Sequence, residues 1–343
     1  MDLEQMLRDL CGATGVSGRE DPVWETARAL LEGCGPCEQT PLGSLVCRVC
    51  PAEPGQPHVM LNAHMDSIGL VVSYIDENGF LRMGNCGGVD RSTLLAAQVR
   101  VHTRTGALPG VVCTLPPHLE TDDSQLPKLD QLAIDVGLDG EQAKARIQPG
   151  DRISFCSFPN RMAGDGFSAG SLDDRAGCAA VILAARQLAG RRLRCGLSVA
   201  LSSLEETGGQ GAATAANLLA PTHALVVDVS FAQTPDTPRP KCGLLGKGPM
   251  IGIAPILDEG ISAQLEQSAK SHDIPYQIEV MNGDTGTDAD GIAISGAGVR
   301  CCTVSIPLRY MHSPVELVRL SDVEQTAQLV AAWVTDQFGG EQA

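Results

Sequence analysis

Residues 175–229, RAGCAAVILAARQLAGRRLRCGLSVALSSLEETGGQGAATAANLLAPTHALVVDV, decide the fold class. Arg175 to Leu188 is Ala-rich with helical apolar spacing, and LSVALSSL (197–204) reads as a short strand. Gly211 to Leu219 is helical again, and HALVVDV (223–229) is a continuous apolar run of strand length. Helices alternating with buried strands imply an α/β domain whose mostly parallel sheet is covered on both faces. The rhythm continues downstream through IGIAPIL (251–257), a helix near Ser262 to Ser271, YQIEV (276–280), CCTVSI (301–306) and a last helix over about Ser321 to Phe338. Upstream lie helices over about Leu3 to Leu10 and Pro22 to Leu31, then the strands SLVCRVC (44–50) and HVMLNAHMD (58–66). The second strand ends in polar residues, and open α/β sheets bind ligands outside the carboxyl ends of their strands.

Between these halves the texture changes. LVVSYID, FLRMG, QVRVHT and PGVVCT are short alternating pieces punctuated by Gly and Pro, with the polar stretch HLETDDSQLPKLDQ (118–131) among them. We read 67–158 as an inserted β-rich domain and 1–66 with 159–343 as the α/β domain. Aromatics are only 3% of the 343 residues, while Gly reaches 38, so burial must rest on Ala, Val, Leu and Ile in closely approaching elements.

Charge narrows the partners. Lys and Arg total 25 against 41 Asp and Glu, a formal charge of -16, which opposes nucleic acid and anionic membrane surfaces. The start, MDLEQMLRDLCGATG, has acidic residues where a secretion signal needs a basic region and an apolar run, so the expectation is a soluble cytoplasmic protein. Thirteen cysteines, an odd number without small-scaffold spacing, argue for reduced thiols. The pairs Cys34/Cys37 and Cys47/Cys50 have zinc-knuckle spacing, but the first follows a helix end. The second lies in a strand, where residues three apart face opposite ways. No phosphate-loop spacing occurs.

Five polar clusters sit where apolar runs end or helices begin: His64 and Asp66, Asp173 and Asp174, Glu205 and Glu206, Asp228, and His312. Imidazoles mixed with carboxylates suit divalent transition metals. Singly, each is more simply a cap or a surface group; their joint occurrence carries the argument. Asp66 is placed to orient a ligating His64. Of two adjacent glutamates, one can bind metal while the other faces the reacting water as general base. In LDDRAG, Asp174 suits a helix N-cap while Asp173 reaches inward.

The ordered segments HMDSIG (64–69), SLDDRAG (171–177), EETGGQGA (205–212), DVS (228–230) and MHSPVE (311–316), with a β-rich insert between the first two, resemble the glutamyl and tetrahedral aminopeptidase family of co-catalytic zinc metallopeptidases. The resemblance runs from GVSGRE (15–20) to HSPVE and implies a three-layer αβα catalytic domain with an inserted small β-barrel-like domain. It implies two divalent ions per subunit, zinc first, with cobalt or manganese also compatible. One would be held by His64 and Asp228 and the other by Glu206 and His312, with Asp173 bridging and Glu205 as general base. Asp66 would support His64 as part of the catalytic set, and Asp288 in TGTDAD (285–290) would contact substrate. The residue after the bridging Asp is where relatives have a cis peptide. Ser67 and Thr207 depart from the usual pattern at positions that hold no metal. The implied partners are peptides with a free N-terminus and other copies of the chain, dimers assembling into a dodecamer. Two other readings stay open: a glucanase, as some family members have been described, and a silent assembly protein with the same fold.

Overall fold

The computed structural model describes residues 2–115, 118 and 126–340, so 119–125 of the polar stretch 118–131 lie outside the described residues. The chain opens with helices α1 (Leu3–Gly12) and α2 (Asp21–Leu30), then strands β1 (Cys37–Gln39), β2 (Leu45–Cys50) and β3 (His58–His64). Strands β4 (Gly69–Ile75), β5 (Leu81–Cys86), β6 (Gln98–Thr103), β7 (Gly106–Cys113) and β8 (Ala133–Asp135), helix α3 (Gly140–Arg146) and strand β9 (Arg152–Phe155) follow. Next come β10 (Asn160–Arg161), β11 (Gly166–Ala169), α4 (Leu172–Leu188), β12 (Gly196–Ser202), α5 (Gln210–Leu219) and β13 (His223–Phe231). The chain closes with β14 (Met250–Ile253), α6 (Glu259–Ser271), β15 (Gln277–Val280), α7 (Asp288–Ala293), β16 (Arg300–Leu308), β17 (Glu316–Arg319) and α8 (Leu320–Phe338).

Eight strands form one sheet in the order β1-β2-β12-β3-β13-β16-β14-β15. Its centre is parallel, from β12 through β3 and β13 to β16, as continuous apolar strands between helices require. Antiparallel pairing appears at β1–β2, β2–β12 and β14–β16. Period-two alternation sorts the core into two halves. Val59, Leu61, Leu197, Val199, Leu201, Leu225 and Val227 face α1, α2, α4, α6 and α8. Met60, Ala200, Ala224 and Val226 face α5 and α7. The α5 layer packs through Ala212, Ala215 and Ala216, so small side chains bring that helix close to the sheet and few aromatics are needed. Helix α4, apolar on nearly every side, is buried along almost its whole length.

The β-rich segment closes into a six-stranded antiparallel barrel, β4-β5-β8-β7-β6-β9, around its own core of Leu70, Val72, Val99, Val101, Ile134 and Ile153. Alternation sets its wall: Val99 and Val101 point in while Gln98 and Arg100 point out. A small sheet, β10-β11-β17, joins segments far apart in sequence. Helices α3 and α7, each of seven residues or fewer, are too short for a periodic signal and were not among the expected elements. Among the described residues no helix is long and apolar enough to cross a membrane.

Candidate active site

Three strand ends and two loops converge on one cleft beyond the carboxyl end of the parallel sheet. His64 closes β3, the Glu205-Glu206 turn follows β12, and Asp228 lies near the end of β13. Asp173 stands at the start of α4, and His312 lies in the loop between β16 and β17 at φ +61°. The Asp173–Asp174 peptide bond is cis.

Asp173 sits between the two imidazoles. Its Oδ1 is 3.0 Å from His64 Nε2 and its Oδ2 3.3 Å from His312 Nε2. Asp228 Oδ1 lies 3.9 Å from His64 Nε2, and Glu206 Oε2 lies 3.5 Å from His312 Nε2. The result is two sets of three, His64 with Asp173 and Asp228, and Asp173 with Glu206 and His312. Within each set the ligand atoms all lie within 4.8 Å of one another. Asp173 belongs to both. Glu205 belongs to neither, but its Oε2 is 3.9 Å from His64 Nε2, at the edge of the same space.

Backbone groups fix the imidazoles. His64 Nδ1–H donates to the Asp66 carbonyl at 3.2 Å and His312 Nδ1–H donates to the Gly88 carbonyl at 2.7 Å, which turns both Nε2 atoms toward the carboxylates. The Asp66 side chain has a further job: it accepts the N–H groups of Glu205 at 3.0 Å and Glu206 at 3.3 Å, pinning the turn that carries both. Asp174 accepts from Gly177 N–H at 2.9 Å and His64 N–H at 3.3 Å, so it caps the regular part of α4 that begins after the non-helical Asp173 and Asp174, and it tethers β3. Gly88, from the barrel segment, must lack a side chain, since a Cβ there would stand 2.8 Å from His312 Nδ1.

Negative charge dominates. Burial pushes the carboxyl of Glu206 up to about 8, helped by the charge of Asp173, and burial also raises Glu205 and Asp228. Burial disfavours charge on His64 as well, but Asp173 and Asp66 outweigh it and hold the imidazole well above its usual range. The bond to Asp173 raises His312 to about 9. A buried cluster whose carboxylates outnumber its cations favours bound divalent cations, and Glu206 Oε1, buried without a hydrogen-bond partner, is a free donor for one. Imidazole nitrogens and carboxylate oxygens in sets of three suit zinc, cobalt or manganese. The residues therefore fit a metal centre.

Glu316 had no assigned role in the sequence reading. It is 1% exposed, and its carboxylate accepts the N–H groups of Asp173 at 3.1 Å and His312 at 2.8 Å, tying one member of each set to the same strand, β17. Its place four residues after His312 in MHSPVE was the available signal. Asp288, expected at the substrate, is 2% exposed at the start of α7 and does not line the cleft; it accepts a hydrogen bond from Ser202 and is raised to about 7 by burial and the charge of Glu205. Ser67 and Thr207 also lie outside the cleft lining; Thr207 bonds to Ser17 at 2.8 Å. Cys37 and Cys47 are register partners across β1–β2, all thirteen cysteines are free thiols, and no group of three among the described residues that could hold a metal includes a cysteine.

Comparison with known proteins bears on this geometry. The family model described as M42 glutamyl aminopeptidase matches residues 43–329. The lysyl aminopeptidase of Pyrococcus furiosus is 37% identical over 281 residues, covering 80% of this chain and 81% of that protein. The solved aminopeptidase APDkam598 from the archaeon Desulfurococcus kamchatkensis superposes with a TM-score of 0.91 at 33% identity, covering 98% of this chain and 95% of that one. The TET1 peptidase of Pyrococcus horikoshii, described as able to assemble into a tetrahedron or a large octahedral shell, gives 0.86 at 29% identity over 97% of this chain and 99% of that one.

Proposed function

Because the chain belongs to the M42 glutamyl aminopeptidase family, we propose that it is a cytoplasmic, dinuclear metal-dependent aminopeptidase that removes N-terminal residues from peptides. The single observation that carries the metal reading is the pair of three-residue sets sharing Asp173. His64 and Asp228 would hold one divalent ion, Glu206 and His312 the other, and Asp173 would serve both. When bound, such a pair polarises the scissile carbonyl and lowers the pKa of attacking water.

The chain's own residues do the rest. Glu205, in neither set and within 3.9 Å of His64, takes the water proton on its carboxylate and returns it to the leaving amine. Burial raises its pKa, which strengthens it as a base. Asp66 holds Glu205 and Glu206 through their backbone N–H groups, so the base stays aimed while the proton moves. A cleft this rich in carboxylates favours a free α-amine over an acylated one. The glucanase and silent readings are not favoured, since the family model that matches most of the chain is an aminopeptidase model and both three-residue sets and Glu205 are present.

The test is hydrolysis of fluorogenic aminoacyl amides, free and N-acetylated, by chelator-treated protein and by protein reloaded with zinc, cobalt or manganese. Cleavage of free amides alone, lost on chelation and restored by metal, is the expected result. No cleavage by fully loaded protein, or cleavage of a glucan instead, would overturn it.

Residues 67–158 are proposed as the assembly domain, supported by the likeness to the shell-forming TET1 peptidase. The expected species in solution is a homo-oligomer of dimers, up to a dodecamer of the 35.9 kDa chain, read by light scattering. A monomer at micromolar concentration would refute this.

A further inference from the structure

Outside the two metal-competent sets and Glu205, the cleft, a cavity of about 450 Å³, has one more charged lining residue, Glu279 on β15. Its carboxylate accepts hydrogen bonds from the hydroxyls of Ser230 and, at 2.7 Å, Ser305. Both serines are placed by the strands that place the metal site. Ser230 lies two residues beyond Asp228 on β13, hence on the same face, and Ser305 is the register partner of Asp228 on β16. Glu279 reaches them across β14, where its own register partner is Gly252. A Cβ at Gly252 would collide with the Thr303 hydroxyl, so no side chain at that position comes between Glu279 and β16.

Three further observations describe what this corner accepts. A carboxylate offers about four lone-pair sites, and two serine donors leave acceptor capacity to spare. Phe231, Met281 and Met311 line the same cavity and supply apolar walls. No Lys or Arg lines it among the described residues, so nothing there neutralises Glu279 or would pair with an acidic substrate side chain.

We propose that Glu279, braced by Ser230 and Ser305, is the specificity-determining residue of the cleft and selects substrates whose N-terminal residue is basic, lysine or arginine. The inference rests on the aminopeptidase reading and deepens it. The stem of a lysine or arginine packs on Phe231 and the methionines while its cationic head meets Glu279. An N-terminal glutamate would bring a second carboxylate to an unneutralised one, so the cleft opposes the substrate for which the family is named.

The discriminating pair is lysyl and norleucyl amide, which share a stem and differ in the charged head. Metal-loaded wild type is expected to prefer lysyl by about 10- to 100-fold in kcat/KM, the range of a charge-assisted hydrogen bond. In Glu279→Gln that ratio should collapse toward one, and Glu279→Lys should favour glutamyl over lysyl amide. A structural brace would change overall activity but not the ratio. In parallel, calorimetry measures lysinamide against norleucinamide on the same proteins, where wild type should bind lysinamide at least 10-fold more tightly.

The outcomes separate the two claims. Cleavage of both amides with no lysyl preference overturns the specificity and leaves the aminopeptidase standing. Equal losses on both amides in Glu279→Gln also overturn it, by assigning Glu279 to the α-amine or the fold. Absence of cleavage with Glu279-dependent lysinamide binding overturns the peptidase reading and supports the basic pocket, and absence of any such binding preference overturns the pocket as well.

Discussion

Glu205→Gln is expected to lower kcat by about 10²- to 10⁴-fold while leaving metal content unchanged, the span that a positioned general base supplies. Both halves follow from position. Glu205 is in neither three-residue set, so its replacement removes no ligand. The contacts holding its turn run from the backbone N–H groups of Glu205 and Glu206 to Asp66, and an amide side chain leaves them intact. Gln keeps the shape and cannot take a proton. The variant should also differ in its pH profile. A base works deprotonated, and burial raises the pKa of Glu205, so wild-type kcat/KM should fall as pH drops through that raised value. In Glu205→Gln this acid limb should be missing. Kinetics beside elemental analysis of the same preparations checks the claim. A near-normal rate would remove Glu205 from the chemistry, and loss of metal together with rate would make it a ligand.

Much of this site was legible from residue order, and its limits are physical. Strand ends were recoverable because a buried parallel strand is a continuous apolar run, so the switch to polar residues at His64, at Glu205 and near Asp228 marks where the sheet meets solvent. Partnerships made by non-local pairing were not recoverable. Glu316 reaches Asp173 because β17 pairs with β11, which lies just before α4, and no local period announces that register. Gly88 belongs to the barrel segment yet carries the carbonyl that orients His312. Glu279 meets Ser230 and Ser305 only because β15 and β14 bring it alongside β16, and within YQIEV it is one polar residue of an alternating edge strand. Asp288 marks another limit: Thr285, Gly286 and Thr287 of its segment line the cleft, while the Asp288 side chain is buried beside it against Ser202.

The second large effect concerns Asp173, the one side chain common to both sets. Asp173→Asn should cut metal content from two equivalents toward zero and reduce kcat by about 10³-fold or more, since several kcal/mol of electrostatic stabilisation depend on bound metal and each 1.36 kcal/mol is about tenfold in rate. An asparagine keeps the volume but has one acceptor oxygen and no charge, whereas both aspartate oxygens are in use, Oδ1 3.0 Å from His64 and Oδ2 3.3 Å from His312. Loss of one carboxylate therefore weakens two sites together, which distinguishes Asp173 from Asp228 or Glu206, each in a single set. Stability supplies an independent reading. A cation that binds only the folded chain raises stability by RT ln(1 + [M]/Kd), so the wild-type Tm should climb with added metal. Glu205→Gln should show the same climb and Asp173→Asn almost none. If Asp173→Asn still binds two equivalents, or its Tm responds to metal as the wild type does, the two sites do not share this carboxylate and the dinuclear arrangement fails.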